Sequence, residues 1–262
     1  MNTQPRKIRP EERWVLAGTR DGTPESVITV HLLARGLDDA YVAGDPAHPD
    51  GIIVQGGFDP GELIGFGLDA AVLWEPLRLS GWWCINVIGP CAGDSGEMVE
   101  AQTGRKVRYY ADIYHVLRDS VAPLHHEAAR LLTPDDLELV EAAFAEVRGS
   151  GWDSLWEMPE KGVVAGAVVV GRLVSIAFRS ARLPEHVDTA ISTSTAWRDR
   201  GFATASASLA AQRLQEAGQT PVWSTGENNR ASLRVAKAGL QACGATRLCH
   251  PRIIGSELST TL

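Results

Sequence analysis

The sequence has few cysteines, and this shortage excludes two classes of protein. Its 262 residues include four, Cys84, Cys91, Cys243 and Cys249, and no two of them have C-x-x-C spacing. That spacing is typical of structural zinc sites, and dense cysteines are typical of secreted disulfide scaffolds. We therefore expect isolated thiols in a reducing compartment and no bound metal.

Long apolar runs and positive charge are also lacking. No run approaches the roughly 20 apolar residues that span a bilayer. The basic residues of the first segment, MNTQPRKIRPEERW, are not followed by the apolar stretch of a secretory signal. The formal net charge of −7 argues against nucleic acid or an anionic membrane as the main partner. These features predict a cytoplasmic protein.

What is present is the composition of a globular protein, with 44% hydrophobic and 22% charged residues.

The clearest internal boundary is at Leu132. Thr133 is a good helix cap, Pro134 suits the first turn, and the two aspartates that follow complement the helix dipole. We predict a helix over 134–147 that ends at Gly149-Ser150-Gly151. The expected domains are 1–131 and 132–254.

For the second domain, the sequence pattern predicts an α+β fold with a mixed sheet flanked by helices. Its β-branched runs, glycine stops and alanine-rich segment predict a hairpin over 162–170 and 173–178, a strand over 187–194, a helix over 202–217, a strand over 221–225, and a helix capped by Asn229 and stopped by Gly239.

The first domain is predicted to be a smaller α/β module of unknown role. Ser26–Leu33 is typical of a helix, while Leu79–Ile88 and Val107–Ile113 are typical of strands. The glycines of Gly51–Gly67 favour turns. No internal repeat is evident in the residues themselves.

Thr189–Ala205 carries the clearest functional pattern, because a strand, a short turn and a helix start follow one another there. Backbone N–H groups at a helix start lack internal partners and form a seat for an anion such as a pyrophosphate. The small residues Gly201 and Ala203 let phosphates approach the backbone, and Arg198 and Arg200 add positive charge.

This segment resembles the cofactor loop of the GNAT superfamily of N-acetyltransferases. Arg198-x-x-Gly201-x-Ala203 matches the family's Q/R-x-x-G-x-G/A signature. Asn229-x-x-Ser232, followed by Gly239-Leu240, is similar to the family's later helix beside the cofactor. The resemblance covers about 132–249 and implies acetyl-CoA as the acyl donor substrate, with no metal.

The resemblance also implies which residues hold the donor. The strand residues would pair with the pantetheine arm, the loop amides would hold the pyrophosphate, and two residues beyond the next strand would contact the far end of pantetheine. In that order they are Ile191, Ser192 and Thr193; then Arg198, Asp199, Arg200, Gly201, Phe202, Ala203 and Thr204; then Asn229 and Ser232.

The implied reaction is attack by a primary amine on the thioester in a ternary complex, which needs a proton acceptor. By position the candidates are Glu185, His186, Asp188 and Glu227, with Glu185 and Glu227 ranked first. Many family members carry a tyrosine acid where this chain has Ala236. The thiolate must then be protonated by another group or by water. This departure keeps open an alternative, a non-catalytic acyl-CoA-binding or regulatory protein.

The expected acceptor is a small molecule such as an amino acid, a polyamine or an amino-bearing antibiotic. The first domain would shape its binding side, and a homodimer is left open. Two other motifs give weaker evidence of function. Gly93–Gly96 is similar to a serine-protease nucleophile loop but has no partner histidine and aspartate in context. His125-His126-Glu127 favours a solvated helix over a metal site.

Overall fold

The computed structural model describes residues 4–20, 22–56, 60–120, 122–143, 157–158 and 162–236, and the backbone of 246–255. The predicted glycine stops at 149–151 and at 239 lie outside these residues. No described helix is long and apolar enough to cross a membrane.

The described strands form one continuous twelve-stranded sheet in the order β1-β2-β3-β4-β5-β12-β6-β11-β10-β9-β8-β7. The strands are β1 Arg6–Lys7, β2 Asp39–Asp45, β3 His48–Gln55, β4 Glu62–Gly67, β5 Cys84–Ile88, β6 Val107–Val116, β7 Ala129–Leu131, β8 Val164–Val169, β9 Arg172–Arg182, β10 His186–Thr193, β11 Thr220–Gly226 and β12 Thr246–Gly255. The α-helices are α1 Arg13–Gly18, α2 Val27–Arg35, α3 Ala70–Leu77, α4 Ala92–Thr103, α5 Leu137–Glu141, α6 Phe202–Glu216 and α7 Arg230–Val235.

The same order of elements occurs in both halves of the chain. Each half runs from a short strand through helical structure to three antiparallel strands, a helix, a parallel strand, another helix and a last long strand. The residues of the two halves show no repeat. The repeat is visible only in the order and pairing of their strands and helices. The first half is thus a counterpart of the second in element order.

The last strands of the two halves are exchanged. β12, which ends the second half, lies between β5 and β6 of the first half. β6, which ends the first half, lies between β12 and β11. The sheet is therefore continuous across the predicted boundary at residue 131, and the division into two domains stays a prediction.

The strands and the long helix predicted for the second half are confirmed, but the helix predicted over 134–147 ends at Glu141, and 142–143 form a turn and a bend. The hairpin is β8–β9, the next strand is β10, and the long helix is α6. Ala207, Ala210 and Ala211 of α6 are buried against the sheet, since their small side chains allow close packing. Thr133 and Asp136 form the expected cap, although the first turn there is a 3-10 helix.

In the first half the predicted turns over 51–67 are wrong, because β3 and β4 occupy most of that segment. Gly51 and Gly65 lie inside these strands. A Cβ on Gly51 would lie 3.3 Å from Val72 of α3, and one on Gly65 would lie 2.9 Å from Ile85 of β5. These glycines permit close packing across the sheet.

Candidate functional site

β10 and β11 form a fork. They pair in parallel at three positions, from His186 with Thr220 to Asp188 with Val222, and no further pair forms along their described residues. β10 stays paired with β9 through Thr193, and β11 stays paired with β6 through Gly226. Beyond Asp188 the facing edges of the two strands are therefore open to a ligand that hydrogen-bonds to backbone groups.

A β-bulge lies where the fork begins. Asp188 pairs with Ala181 of β9, whereas the next residue, Thr189, pairs with Arg179, so Ser180 is an extra residue opposite this step. A bulge bends its strand and increases the local twist. This irregularity accompanies the separation of β10 from β11.

A cleft of about 840 Å³ occupies the fork and continues to the start of α6. All the predicted donor-binding residues line it. They are Ile191, Ser192, Thr193, Arg198, Asp199, Arg200, Gly201, Phe202, Ala203, Thr204, Asn229 and Ser232. The structure thus brings the strand, the loop and the later helix together around one space.

The loop before α6 leaves the start of that helix open. Gly201 is its N-cap with φ +83°, a conformation that favours glycine, and it provides no side-chain cap. The first N–H groups of α6 have no partner within the helix and lie at its positive end. Gly201 to Thr204 line the cleft. The arrangement suits a phosphate or pyrophosphate.

Three arginines surround this end of the cleft. Arg198 donates from Nε to the Thr193 carbonyl at 3.3 Å, and the Arg200 guanidinium lies 4.8 Å from the ring centroid of Trp197. Arg234 contacts Asp199 at 3.4 Å, and both side chains are mostly exposed. Because exposed ion pairs are weak, these guanidinium groups remain able to bind an anion.

The opposite wall is fixed by side-chain hydrogen bonds. The Asn229 amide oxygen accepts from the Ser232 N–H at 3.1 Å and caps α7. The Ser232 hydroxyl accepts from Nε1 of buried Trp223 at 3.0 Å. The amide donors of Asn229 and the hydroxyl proton of Ser232 remain for a ligand.

Asp188 lies at the closed end of the fork and lines the cleft, with 6% of its surface exposed. The Ser180 hydroxyl donates to Oδ2, and the Ser224 hydroxyl donates to Oδ1 at 3.2 Å. Burial raises the pKa of the Asp188 carboxyl to about 6, and the two hydroxyls act in the opposite direction.

Of the four base candidates, Asp188 lines the cleft, whereas Glu185, His186 and Glu227 do not. Glu185 is exposed before β10, where its carbonyl accepts from Thr220. His186 contacts the Gly22 carbonyl through Nδ1 at 3.0 Å. The Glu227 carboxylate accepts from the Ala111 N–H at 3.0 Å. Glu185 precedes the paired positions and His186 is the first of them, so both lie away from the open edge of β10, which begins only after Asp188.

The equivalent strands of the first half do not separate. β4 and β5 are paired at five positions, from Glu62 with Cys84 to Phe66 with Ile88. The N-terminus of α3 is closed by Asp69, whose carboxylate accepts from Ala71 N at 2.7 Å and Val72 N at 3.1 Å. The described part of the first half therefore lacks both the fork and an open helix start.

The remaining motifs have structural positions. Ser95 is buried within α4, which is no setting for a nucleophile loop. The helix predicted at His125-His126-Glu127 is wrong, since 122–126 has no regular structure and 127–128 is a turn. The His126 ring lies 4.7 Å from that of Phe202, and its Nδ1 accepts from Ala128 N at 3.1 Å. Among the described residues, no group of three or more His, Cys, Asp or Glu could hold a metal.

No family model matches the sequence, and no curated protein matches it. Solved structures do match. A GCN5-related N-acetyltransferase-like protein from Streptococcus suis is 17% identical with a TM-score of 0.65, covering 94% of this chain and 99% of its own. A Drosophila protein is 14% identical with a TM-score of 0.58, covering 97% and 99%. A GNAT-family acetyltransferase from Colwellia psychrerythraea is 13% identical with a TM-score of 0.57, also covering 97% and 99%.

At these identities the likeness concerns the fold. The chain has the fold of GNAT acetyltransferase structures, and the match extends over nearly its whole length. The resemblance predicted from 132–249 is thus confirmed as a fold and extends into the first half. This agrees with the repeated order of elements.

Proposed function

We propose that the protein transfers an acetyl group from acetyl-CoA to a primary amine of a small molecule, by direct attack in a ternary complex. The observation that carries this proposal is the cleft in which an open strand edge leads to an open helix start. Ile191–Thr193 offer backbone groups to the pantetheine amides, and Gly201–Thr204 offer N–H groups to the pyrophosphate.

This orientation of the donor directs its thioester toward the closed end of the fork. A main-chain N–H on either open strand edge would polarise the thioester carbonyl and stabilise the oxyanion formed on attack. The amine must reach the carbonyl as the free base, because an ammonium has no lone pair to form the new bond.

The first half contributes to the surroundings of this end. The 3-10 turn Pro24–Ser26 packs against β10 and β6, and buried Val27 of α2 clusters with Val222 of β11. This placement supports a role of the first half in shaping the acceptor side.

We expect acetyl-CoA to bind in a ratio of one molecule per chain, because only the second-half fork is open among the described residues. Isothermal titration calorimetry gives the ratio, and thermal denaturation gives the stabilisation. At ligand concentrations 100 times Kd, the free energy of unfolding should rise by about 2.7 kcal/mol. Two equivalent sites would contradict the closed state of the first half. Absence of any stabilisation by acetyl-CoA and by longer acyl-CoAs would refute the donor assignment.

Catalysis is tested by free-thiol release from acetyl-CoA with a panel of lysine, spermidine, tyramine and kanamycin. Amine-dependent release together with a mass increase of one acetyl group in that amine supports the transferase. Ala236 is buried and offers no acidic side chain, which favours the alternative of a non-catalytic acyl-CoA-binding protein. Tight acetyl-CoA binding without release for any amine would establish that alternative.

A further inference from the structure

We infer that Asp188 is the catalytic residue that takes the proton from the acceptor amine. This assignment rests on the proposed function and deepens it. Among the described residues that line the cleft, the carboxylates are Asp188 and Asp199, and no His, Glu, Lys, Tyr or Cys is present.

The two carboxylates differ in position and in surroundings. Asp199 lies in the loop before α6, its side chain is 82% exposed, and it contacts Arg234. Asp188 lies where β10 and β11 part, five strand residues from Thr193, which corresponds to about 16 Å. Asp188 is thus the carboxylate at the thioester end, and Asp199 is at the phosphate end.

The hydrogen bonds of Asp188 orient its carboxylate and leave acceptor capacity. Ser180 and Ser224 each bond a different oxygen, and each carboxylate oxygen can accept two hydrogen bonds. An N–H of the amine can therefore bond without displacing either serine. The raised pKa makes this group a stronger base than an ordinary carboxylate, while it remains mostly ionised at neutral pH.

Asp188 alone can accept the first proton of the amine and later return it to the thiolate. Asp188 takes one proton from the ammonium, and the free amine attacks the thioester carbonyl. The C–N bond forms, the C–S bond breaks, and the nitrogen releases its second proton to water. The thiolate takes the proton held by Asp188, which restores the carboxylate. The net products are the N-acetylated amine, CoA thiol and one proton.

Other ionisable groups lie on the elements packed around Asp188, although the causes that act on the pKa of Asp188 itself are its burial and the hydroxyls of Ser180 and Ser224. Burial is the largest cause that raises the pKa of Tyr114 on β6, and the charges of Asp112, Asp188 and Glu25 raise it further. The charged and titratable residues on these elements are Glu25 before α2, His31 and Arg35 on α2, Arg108, Tyr109, Tyr110, Asp112, Tyr114 and His115 on β6, Arg172, Arg179 and Arg182 on β9, and Glu185 and His186 at the start of β10.

The test is Asp188→Asn, assayed with the panel amine that the wild type acetylates fastest. Asparagine keeps the shape of aspartate but is not a base, so kcat/KM should fall roughly 100-fold or more. The acetyl-CoA Kd should stay within about twofold, since the donor is held elsewhere in the cleft. The wild-type profile of kcat/KM should bend near pH 6, and that bend should be lost in the variant. The limb due to ionisation of the amine itself should remain in both.

Ser224→Ala provides a second variant that keeps the carboxylate. The Ser224 hydrogen bond lowers the pKa of Asp188, so its removal should move the bend to higher pH. Asp94→Asn, on the exposed side of α4, is the matched control and should leave both profiles unchanged.

Unchanged kcat/KM and an unchanged pH profile in Asp188→Asn would overturn the assignment. So would an unshifted bend in Ser224→Ala, or a loss confined to Glu185→Gln or Glu227→Gln. Failure of the proposed function is distinguishable, because the wild type itself would then show no acetyl-CoA binding or no amine-dependent thiol release, and the assignment would fall with it.

Discussion

Replacing Gly201 with glutamate is expected to abolish measurable acetyl-CoA binding. Gly201 is the N-cap of α6 and lines the cleft beside the open N–H groups. A carboxylate there would meet the pyrophosphate as a like charge and would occupy the positive end of the helix dipole itself. We expect Kd to rise at least about 100-fold, which corresponds to roughly 2.7 kcal/mol or more. Isothermal titration calorimetry of the variant measures this loss.

Gly218→Glu is the matched control at the other end of the same helix. Gly218 has φ +76°, close to the +83° of Gly201, and nothing lies within 4 Å of a Cβ placed on it. Both substitutions therefore impose a similar backbone strain of about 1 kcal/mol or more. The two variants should lose similar thermal stability, and only Gly201→Glu should lose affinity. Wild-type affinity in Gly201→Glu would remove this loop from the donor site.

The elements that form the proposed donor side of the cleft could be predicted because their signals are local. The glycine at 201, the alanine-rich run of α6 and the cap at Asn229 each identify an element within a few residues of themselves. Their assembly around one cleft follows from a strand, a helix and a parallel strand that succeed one another along the chain.

The proposed acceptor side of the cleft depends on strand pairing that no local sequence pattern contains. Asp188 was recognisable as an acid in a strand, but its priority over Glu185 depends on where β10 leaves β11. That point is set by the register with β11 and by the bulge at Ser180 of β9, both of which involve other strands. A local sequence pattern does not show which residue of a strand is the last to be paired.

The exchange of strands between the two halves depends on residues that lie even farther apart in the sequence than those of β10 and β11. Val107 of β6 pairs with Gly255 of β12, and Val116 pairs with both Thr246 and Val222. The first half carries its own strand and helix signals, yet they do not indicate that its last two strands are separated by a strand from the end of the chain. Recognition of the repeat needed the order of the whole sheet.

The exchanged strands predict that neither half folds alone. Without β12, the edges of β5 and β6 that face it would be exposed. β6 would then have no strand pairing that connects it to the rest of the first half. Without β6, the second half would have no strand joining β11 to β12. A chain ending at Ser120 and a chain starting at residue 121 should each be insoluble, or should lack a cooperative thermal transition. This loss is far larger than a typical single substitution gives.

Co-expression of the two pieces should restore the fold, because a cut after Ser120 leaves every described strand pair intact. The pieces should copurify in equal amounts and unfold in one transition at a lower temperature than the intact chain, since the break adds association entropy. Acetyl-CoA should stabilise this pair and neither piece alone. A cooperative transition in either isolated piece would show that its sheet closes without the exchanged strand. Such a transition would also mean that the two predicted domains are independent folding units.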